Sequence, residues 1–296
     1  MCNNTRGAAK GASCMNESIT TYQNLKAIIA DIFSSLKLKT RDYPKGRKPA
    51  LTNIEAVTCA VLKQQQNIET KQSLYNIVEP PCSYNTFVVS INRILEYLAI
   101  VTALIISVFR RHAHFVKLTD ATETPVCLLK NAKHHKTMAE FATKSKSSKG
   151  WYYGLKTHLS ADLEGRILAL KFTSANGDDR AVFKKMNAKL RGLFVADAGY
   201  VGEDFTREFY IENERMVLTA TRCNMRKIAT PDQIALLNLR MKVETHFRML
   251  KVVYGFITSM PRSVGGYLVH YLSAIVAHLL QLFATIPFPV IQKVLV

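Results

Sequence analysis

The chain has 296 residues, enough for one large domain or two modest ones with a buried core. Hydrophobic residues make up 48% of it against 21% charged, which excludes a largely disordered protein. Forty Lys and Arg face 22 Asp and Glu, and the formal charge of +18 points to polyanionic partners, nucleic acid or an anionic membrane surface.

Residues 1–17, MCNNTRGAAKGASCMNE, lack the apolar core of a signal peptide and are expected to be a disordered tail. The six cysteines, Cys2, Cys14, Cys59, Cys82, Cys127 and Cys223, are scattered without a C-x-x-C pair, so reduced thiols in a cytosolic compartment are expected. Residues 18–112 read as an all-helical domain. Ser18–Leu36 carries a 3.6-period stripe of Leu25, Ile28, Ile29, Ile32 and Phe33. A basic linker follows, with six Lys and Arg from Lys37 to Lys48 against Asp42 alone. Thr52–Gln64 opens with a Thr52/Glu55 capping box, and Thr70–Val78 and Ser83–Arg110 read as further helices separated by Pro80–Pro81. Short helices beside a basic linker fit either a helix-turn-helix DNA-binding unit or a plain helical bundle. The candidate second helix offers Asn85, Asn92 and Arg93 as base-reading side chains.

Two apolar runs invite a membrane reading. Tyr97–Phe109 is 13 residues between Glu96 and Arg110–Arg111, and Tyr267–Val290 is interrupted by His270, His278, Gln281 and Pro287. Both fall short of a clean run of about 20 apolar residues, so buried core helices are expected.

From His114 the period changes. HFVKLTD reads as a strand closed by Asp120, and a long Lys-rich loop follows, with six Lys from Lys130 to Lys149 and Glu140 the one acid among them. Trp151–Ala161 alternates as a second strand, Asp162–Gly165 is a turn, and Arg166–Thr173 completes a hairpin. Asn176–Leu190 reads as a helix, with Asp178–Asp179 as its cap. Leu193–Ala196 is a buried strand stopped by Asp197; a helix over Glu203–Asn213 and a strand over Met216–Ala220 come next. The order β-β-β-α-β-α-β-α predicts a mixed five-stranded sheet with helices on its faces.

Thr230–Lys251 reads as one long helix. Thr230 and Gln233 form a capping box, Pro231 takes the first helical position, and no Gly or Pro follows until Gly255. At about 100° per residue, Arg240, Glu244 and Lys251 form one ridge, a carboxylate between two cations. Read alone, that ridge suits a solvated face with an intrahelical ion pair.

Asp120 and Asp197 change its meaning. Each is expected at the carboxyl end of a strand, where open α/β sheets build their sites, and Glu244 can reach them from a helix packed on the sheet. Three carboxylates without cations repel one another, and a divalent metal removes that cost. Oxygen-only donors suit Mg²⁺ or Mn²⁺, and two such ions can clamp the attacking and leaving oxygens of a phosphoryl transfer. Cys127 with His134 and His135 lacks zinc-ligand spacing, and Walker and dinucleotide glycine motifs are missing.

These residues resemble the RNase H-like core of DDE transposases, and more narrowly the transposases of small bacterial insertion sequences. The resemblance is carried by VKLTDATETPVC around Asp120, WYYGLKTHL on the second strand, FVADAGYVGEDF around Asp197 and LRMKVETHFRMLK around Glu244. Arg240, Glu244 and Lys251 keep the spacing of a Y-x2-R-x3-E-x6-K motif, but Leu237 stands at its Tyr. The resemblance covers residues 114–280 well and the helical N-terminal third loosely. It implies an RNase H-like catalytic domain over 113–260, a DNA-binding domain over 18–112, and a C-terminal apolar helix over 261–296 packing on the core. It further implies a metal-dependent enzyme that cleaves the ends of its own element and transfers them into target DNA. Asp120, Asp197 and Glu244 would be catalytic and would hold two Mg²⁺ or Mn²⁺ ions. Arg240 and Lys251 would contact phosphates near the scissile bond, together with Arg248. Lys133, Lys136, Lys146, Lys149 and Lys156, with Lys45, Arg47 and Lys48 of the linker, would supply sequence-independent phosphate binding. The implied partners are terminal inverted repeats and target DNA, with a homodimer in the DNA complex, no membrane, and a cytoplasmic, nucleoid-associated location.

Two alternatives stay open on the same residues: a decayed, non-catalytic DNA-binding remnant of a transposase, and a host nuclease with an RNase H-like core.

Overall fold

A computed structural model of the chain describes residues 21–38, 49–212, 214–220 and 229–283. The chain divides into two compact units. One comprises Met1–Thr102, Val253–Phe256 and Gly265–Val296; the other comprises Ala103–Val252 and Ile257–Val264.

The first unit is helical. Its described elements are α1 (residues 21–35), α2 (Asn53–Gln65), α3 (Lys71–Val78), α4 (Tyr84–Asn92), the start of α5 (Leu95–Arg111) and α10 (Val264–Phe283). Leu25, Ile29, Ile32 and Phe33 of the predicted stripe are buried, while Ile28 is exposed. The Thr52/Glu55 capping box forms at the start of α2, and Thr70 and Ser83 cap α3 and α4 through their hydroxyls. Each hydroxyl satisfies a backbone N–H that the helix itself leaves unpaired. The predicted single helix over Ser83–Arg110 is instead two, α4 and α5, bent by 46°. The bend falls at Arg93, whose N–H bonds Ser90 O three residues back and so tightens the last turn of α4.

α10 is long and apolar enough to cross a membrane, but most of it is buried within the molecule, as in a core helix. Residues 265–283 of it cluster with the N-terminal helices. There Gln64 meets His270 Nδ1 at 3.1 Å, the other ring nitrogen of His270 lies 2.8 Å from Gly255 O, and Tyr254 donates to Gln281.

The second unit is built on a mixed sheet, six-stranded among the described residues rather than the expected five. Its strands are β1 (Val116–Cys127), β2 (Thr143–Ser147), β3 (Gly150–Asp162), β4 (Ile167–Ser174), β5 (Gly192–Ala196) and β6 (Arg215–Thr219). β1 and β3 are antiparallel. β2 and β4 share the far edge of β3, β2 beside residues 150–154 and β4 beside 155–161. β5 runs parallel to β1, and β6 parallel to β5. The extra strand β2 lies in the predicted Lys-rich loop. Its TKSKS sequence gives no apolar alternation, because an edge strand wet on both faces needs none, and lysines there discourage pairing with other chains.

Helices α6 (Asp179–Met186) and α7 (Glu203–Phe209) cover one face. α6 is shorter than the predicted Asn176–Leu190, because Asp178 caps it by accepting from Arg180 N–H. Phe183, Phe194, Phe205 and Phe209 form an aromatic cluster there, with ring centroids 5.0–6.1 Å apart, and Tyr200 packs against Phe183 at 5.3 Å.

The predicted Thr230–Lys251 helix is divided into α8 (Pro231–Leu239) and α9 (Met241–Arg248), followed by a π-helical turn over Met249–Val253. The capping box and the Pro231 start form as expected. Arg240 keeps helical dihedrals, but its N–H bonds Leu237 O and its own carbonyl accepts from Val243 N–H, both at three-residue spacing. This local tightening, followed by the wider π turn, removes the uniform 100° step that places Lys251 on one ridge with Arg240 and Glu244.

Candidate active site

Strand alternation decides which face each residue of β1 serves. Thr119 faces α6, where its hydroxyl bonds Ser160, which in turn donates to Asn187. Asp120 and Thr122 therefore face the other way, toward α9: Arg240 approaches Asp120, and Lys251 Nζ donates to Thr122 at 2.6 Å.

The last parallel pair between β1 and β5 is Thr119 with Ala196, so Asp120 and Asp197 stand side by side just beyond it. Asp120 does not close its strand as expected. β1 continues seven residues past it, because the alternating TDATETPVC keeps pairing with β3 after β5 has turned away. Asp197 does sit at a strand end, and a short 3₁₀ turn over Ala198–Tyr200 follows it. Buried Tyr200, packed on Phe183, pins that turn.

Glu244 joins from α9, whose buried face consists of Val243, His246 and Phe247. The three carboxylates surround one guanidinium. Arg240 Nη1 lies 3.4 Å from Asp197 Oδ1 and 3.8 Å from Asp120 Oδ2, and its Nη2 lies 4.0 Å from Glu244 Oε1. Asp120 is the most enclosed of the three. Burial pushes its carboxyl up to about 6; Asp197 and Glu244 push the same way, while the Ala121 N–H and Arg240 pull against them. The Ala121 N–H donates to Asp120 Oδ1 at 2.8 Å and fixes that side chain.

All three donors are hard oxygens, the type that Mg²⁺ and Mn²⁺ prefer. In their present positions they are spread around the guanidinium. Among the described residues, no three His, Cys, Asp or Glu side chains are gathered closely enough to hold a metal ion. The donors suit a divalent ion in chemistry and in number, but their present spacing is set by Arg240 at the centre.

Lys251 lies apart from this cluster. Its ammonium bonds Thr122 and Glu123, the latter at 3.1 Å, and Lys149 reaches the same Glu123 oxygen at 3.1 Å. Burial pulls Lys251 down despite its partner. In Glu123, burial is outweighed by a backbone N–H and the two lysines, and the carboxyl is held below its ordinary value. Lys156 pairs with Asp179 at 2.8 Å. Lys133, Lys136, Lys146 and Arg248 are exposed, whereas Lys45, Arg47 and Lys48 lie outside the described residues. Lys146 pairs with Trp151 across β2 and β3, and Lys144 sits over the Trp151 ring at 4.9 Å. Leu237, at the motif's Tyr position, lines a cleft of about 640 Å³ with Val201, Gly202, Tyr210, Val217 and Gln233.

Three contributors escape a reading by motif: Thr122, Glu123 and Tyr200. Thr122 could have been found from alternation, two residues after Asp120 on the same face. Glu123 and Tyr200 act through tertiary contacts that leave no periodic trace.

Among solved structures the fold is similar to one described as a cryo-EM structure of piggyBac transposase synaptic complex with hairpin DNA. The TM-score is 0.49 and the identity 11%, covering 94% of this chain and 78% of that one. None of the curated proteins matches the sequence. The profile of the family described as Transposase DDE domain matches residues 111–263, just over half of the chain and the whole stretch that carries Asp120, Asp197 and Glu244. The chain belongs to the transposase DDE-domain family.

Proposed function

We propose that the chain is an active transposase that cuts DNA at the ends of its element and joins them to target DNA, with Asp120, Asp197 and Glu244 as its catalytic carboxylates. The observation that carries this reading is the meeting of these three side chains, from β1, the end of β5 and α9, around Arg240. The sheet supports an RNase H-like reading of the domain: three long antiparallel strands, then two parallel ones connected through helices.

The three carboxylates would hold two Mg²⁺ or Mn²⁺ ions. Bound there, such ions supply Lewis acidity at a scissile phosphate and lower the pKa of an attacking water or 3′-hydroxyl. The chain's own residues set the frame. Asp120 is fixed by the Ala121 N–H and by the pairing of β1 with β3, where it stands opposite Leu159. Asp197 is held by the turn that Tyr200 anchors, and Glu244 is presented from the exposed side of a helix. Lys251, tied to β1 through Thr122 and Glu123, anchors the π turn that follows α9. Exposed Lys133, Lys136, Lys146 and Arg248, with the +18 charge of the whole chain, favour sequence-independent DNA binding. Two such sites acting on two element ends imply a homodimer in the DNA complex, nucleoid-associated in a bacterial cytoplasm.

A nuclease with the same core would hydrolyse DNA without joining it. The test is incubation of the purified protein with Mg²⁺, a duplex carrying the element's end and a second, unrelated duplex. Covalent joining of the cut end to the second duplex is expected; hydrolysis alone would favour the nuclease.

A further inference from the structure

We propose that Arg240 is a resident counter-cation that occupies the metal site until an ion displaces it, so that metal loading and withdrawal of this side chain are one event. The inference rests on the reading of Asp120, Asp197 and Glu244 as metal ligands. Three carboxylates from three different elements converge on one guanidinium at 3.4, 3.8 and 4.0 Å. All three distances exceed the 2.7–2.9 Å of a strong charge-assisted hydrogen bond. Arg240 is thus held in the middle of the negative field rather than locked to one partner. Mg²⁺ binds oxygen ligands at about 2.0–2.1 Å, and the same volume cannot hold both cations. The carboxylates need a cation to stay together, and among the described residues Arg240 supplies it.

The geometry of the helix fits such a role. Arg240 is the junction between α8 and α9, where spacing tightens to three residues, and so it sits on a local break rather than in a continuous helix. Its side chain is about one-fifth exposed, which leaves a way out to solvent. Leu237, one turn earlier, faces the open cleft. The arrangement is a competition, so the Arg-in state lowers the apparent metal affinity by the fraction of molecules that must first release it. By linkage, metal lowers the occupancy of Arg-in by the same factor. Once displaced, the guanidinium is a free cation at the edge of the site, and it becomes available to a DNA phosphate only after metal has bound.

The test is Mn²⁺ binding to the purified, metal-stripped full chain, followed by the electron paramagnetic resonance signal of free Mn²⁺. Melting temperature as a function of Mn²⁺ is measured in parallel. Arg240→Ala is expected to bind Mn²⁺ roughly five- to hundred-fold more tightly than the unaltered protein. It is also expected to melt at a lower temperature without metal and to recover more on Mn²⁺ addition. Arg240→Lys, which keeps a charge but cannot span three carboxylates, should fall between the two and covers the case in which the alanine variant does not fold. Unchanged or weaker Mn²⁺ binding in the Arg240 variants, with Asp197→Asn still abolishing it, would overturn the counter-cation role and leave the ligand assignment standing. Mn²⁺ binding that is insensitive to Asp197→Asn, or absent from every variant, would overturn the ligand assignment and the inference together.

Discussion

Asp120 and Asp197 stand side by side, one residue beyond the Thr119–Ala196 pair that ends the parallel ladder between β1 and β5. That register brings together two carboxylates 77 positions apart in the chain, and it depends on how closely β5 can approach β1. One close approach is at Gly192. It has φ +112°, and a Cβ there would stand 2.1 Å from Phe115 O and 2.8 Å from Lys117 Nζ. Gly192→Ala is therefore expected to destabilise the domain by roughly 2–4 kcal/mol, since both the backbone angle and the space oppose a side chain. Urea unfolding measures this, and a loss within about 0.5 kcal/mol of zero would show that β5 can shift without cost.

Stability should also fall with acid. His158 and His246 are buried in the sheet domain, and burial pulls both down to about 4; in His158 neighbouring lysines add to this against Asp179, and in His246 Asp162 opposes it. Between about 6.5 and 4 the unfolded chain takes up protons on these rings while the folded chain does not, so stability is lost as pH falls through that window. Asp120 works in the opposite sense, because its raised value lets the folded state hold a proton up to about 6 that the unfolded state releases near 3.8. Two histidines against one aspartate leave a net loss toward acid. Denaturant midpoints at pH 7, 6 and 5 should decline, and a His158→Gln/His246→Gln variant should give a flatter profile. A midpoint that rises toward pH 5 would contradict the assignment.

Lys251 and Glu123 should prove energetically coupled. Both side chains are less than one-fifth exposed, and the ammonium also bonds Thr122. A double-mutant cycle with Lys251→Met and Glu123→Gln is expected to give a coupling of about 1–2 kcal/mol in unfolding experiments. Coupling near zero would return Lys251 to a solvated helix end.

DNA binding should be strongly salt-dependent. Removing the exposed charges of Lys133, Lys136 and Lys146 should lower the slope of log K against log salt by about one for each phosphate no longer neutralised, with little change in sequence preference. Fluorescence anisotropy with two unrelated duplexes checks both parts. An unchanged slope would move the DNA path away from this face.

The site is largely legible in the sequence because its residues fall where local rules are strong. Leu193–Ala196 is a short apolar run halted by Asp197, and Thr230, Pro231 and Gln233 are an unambiguous helix start. The features that cannot be read this way are set by partners distant in sequence. β1 continues past Asp120 because β3 pairs with it, and β2 exists because β3 offers an open edge to a polar segment. The break at Arg240 has no Gly or Pro to announce it. It falls where the side chain turns toward three carboxylates, two of which are supplied by strands. Periodicity alone places Lys251 on the ridge, and the π turn carries it to Glu123 instead.

The carboxylate assignment is tested most directly by cleavage of a duplex bearing the element's terminal repeats, with purified protein in Mg²⁺ or Mn²⁺ compared with Asp197→Asn. Metal-dependent nicking at the element end is expected from the unaltered protein. The variant is expected to lose at least ~10²-fold in rate, the scale of removing one group that stabilises transition-state charge, with DNA affinity retained. Cleavage that proceeds without metal, or full activity in Asp197→Asn, would contradict the assignment.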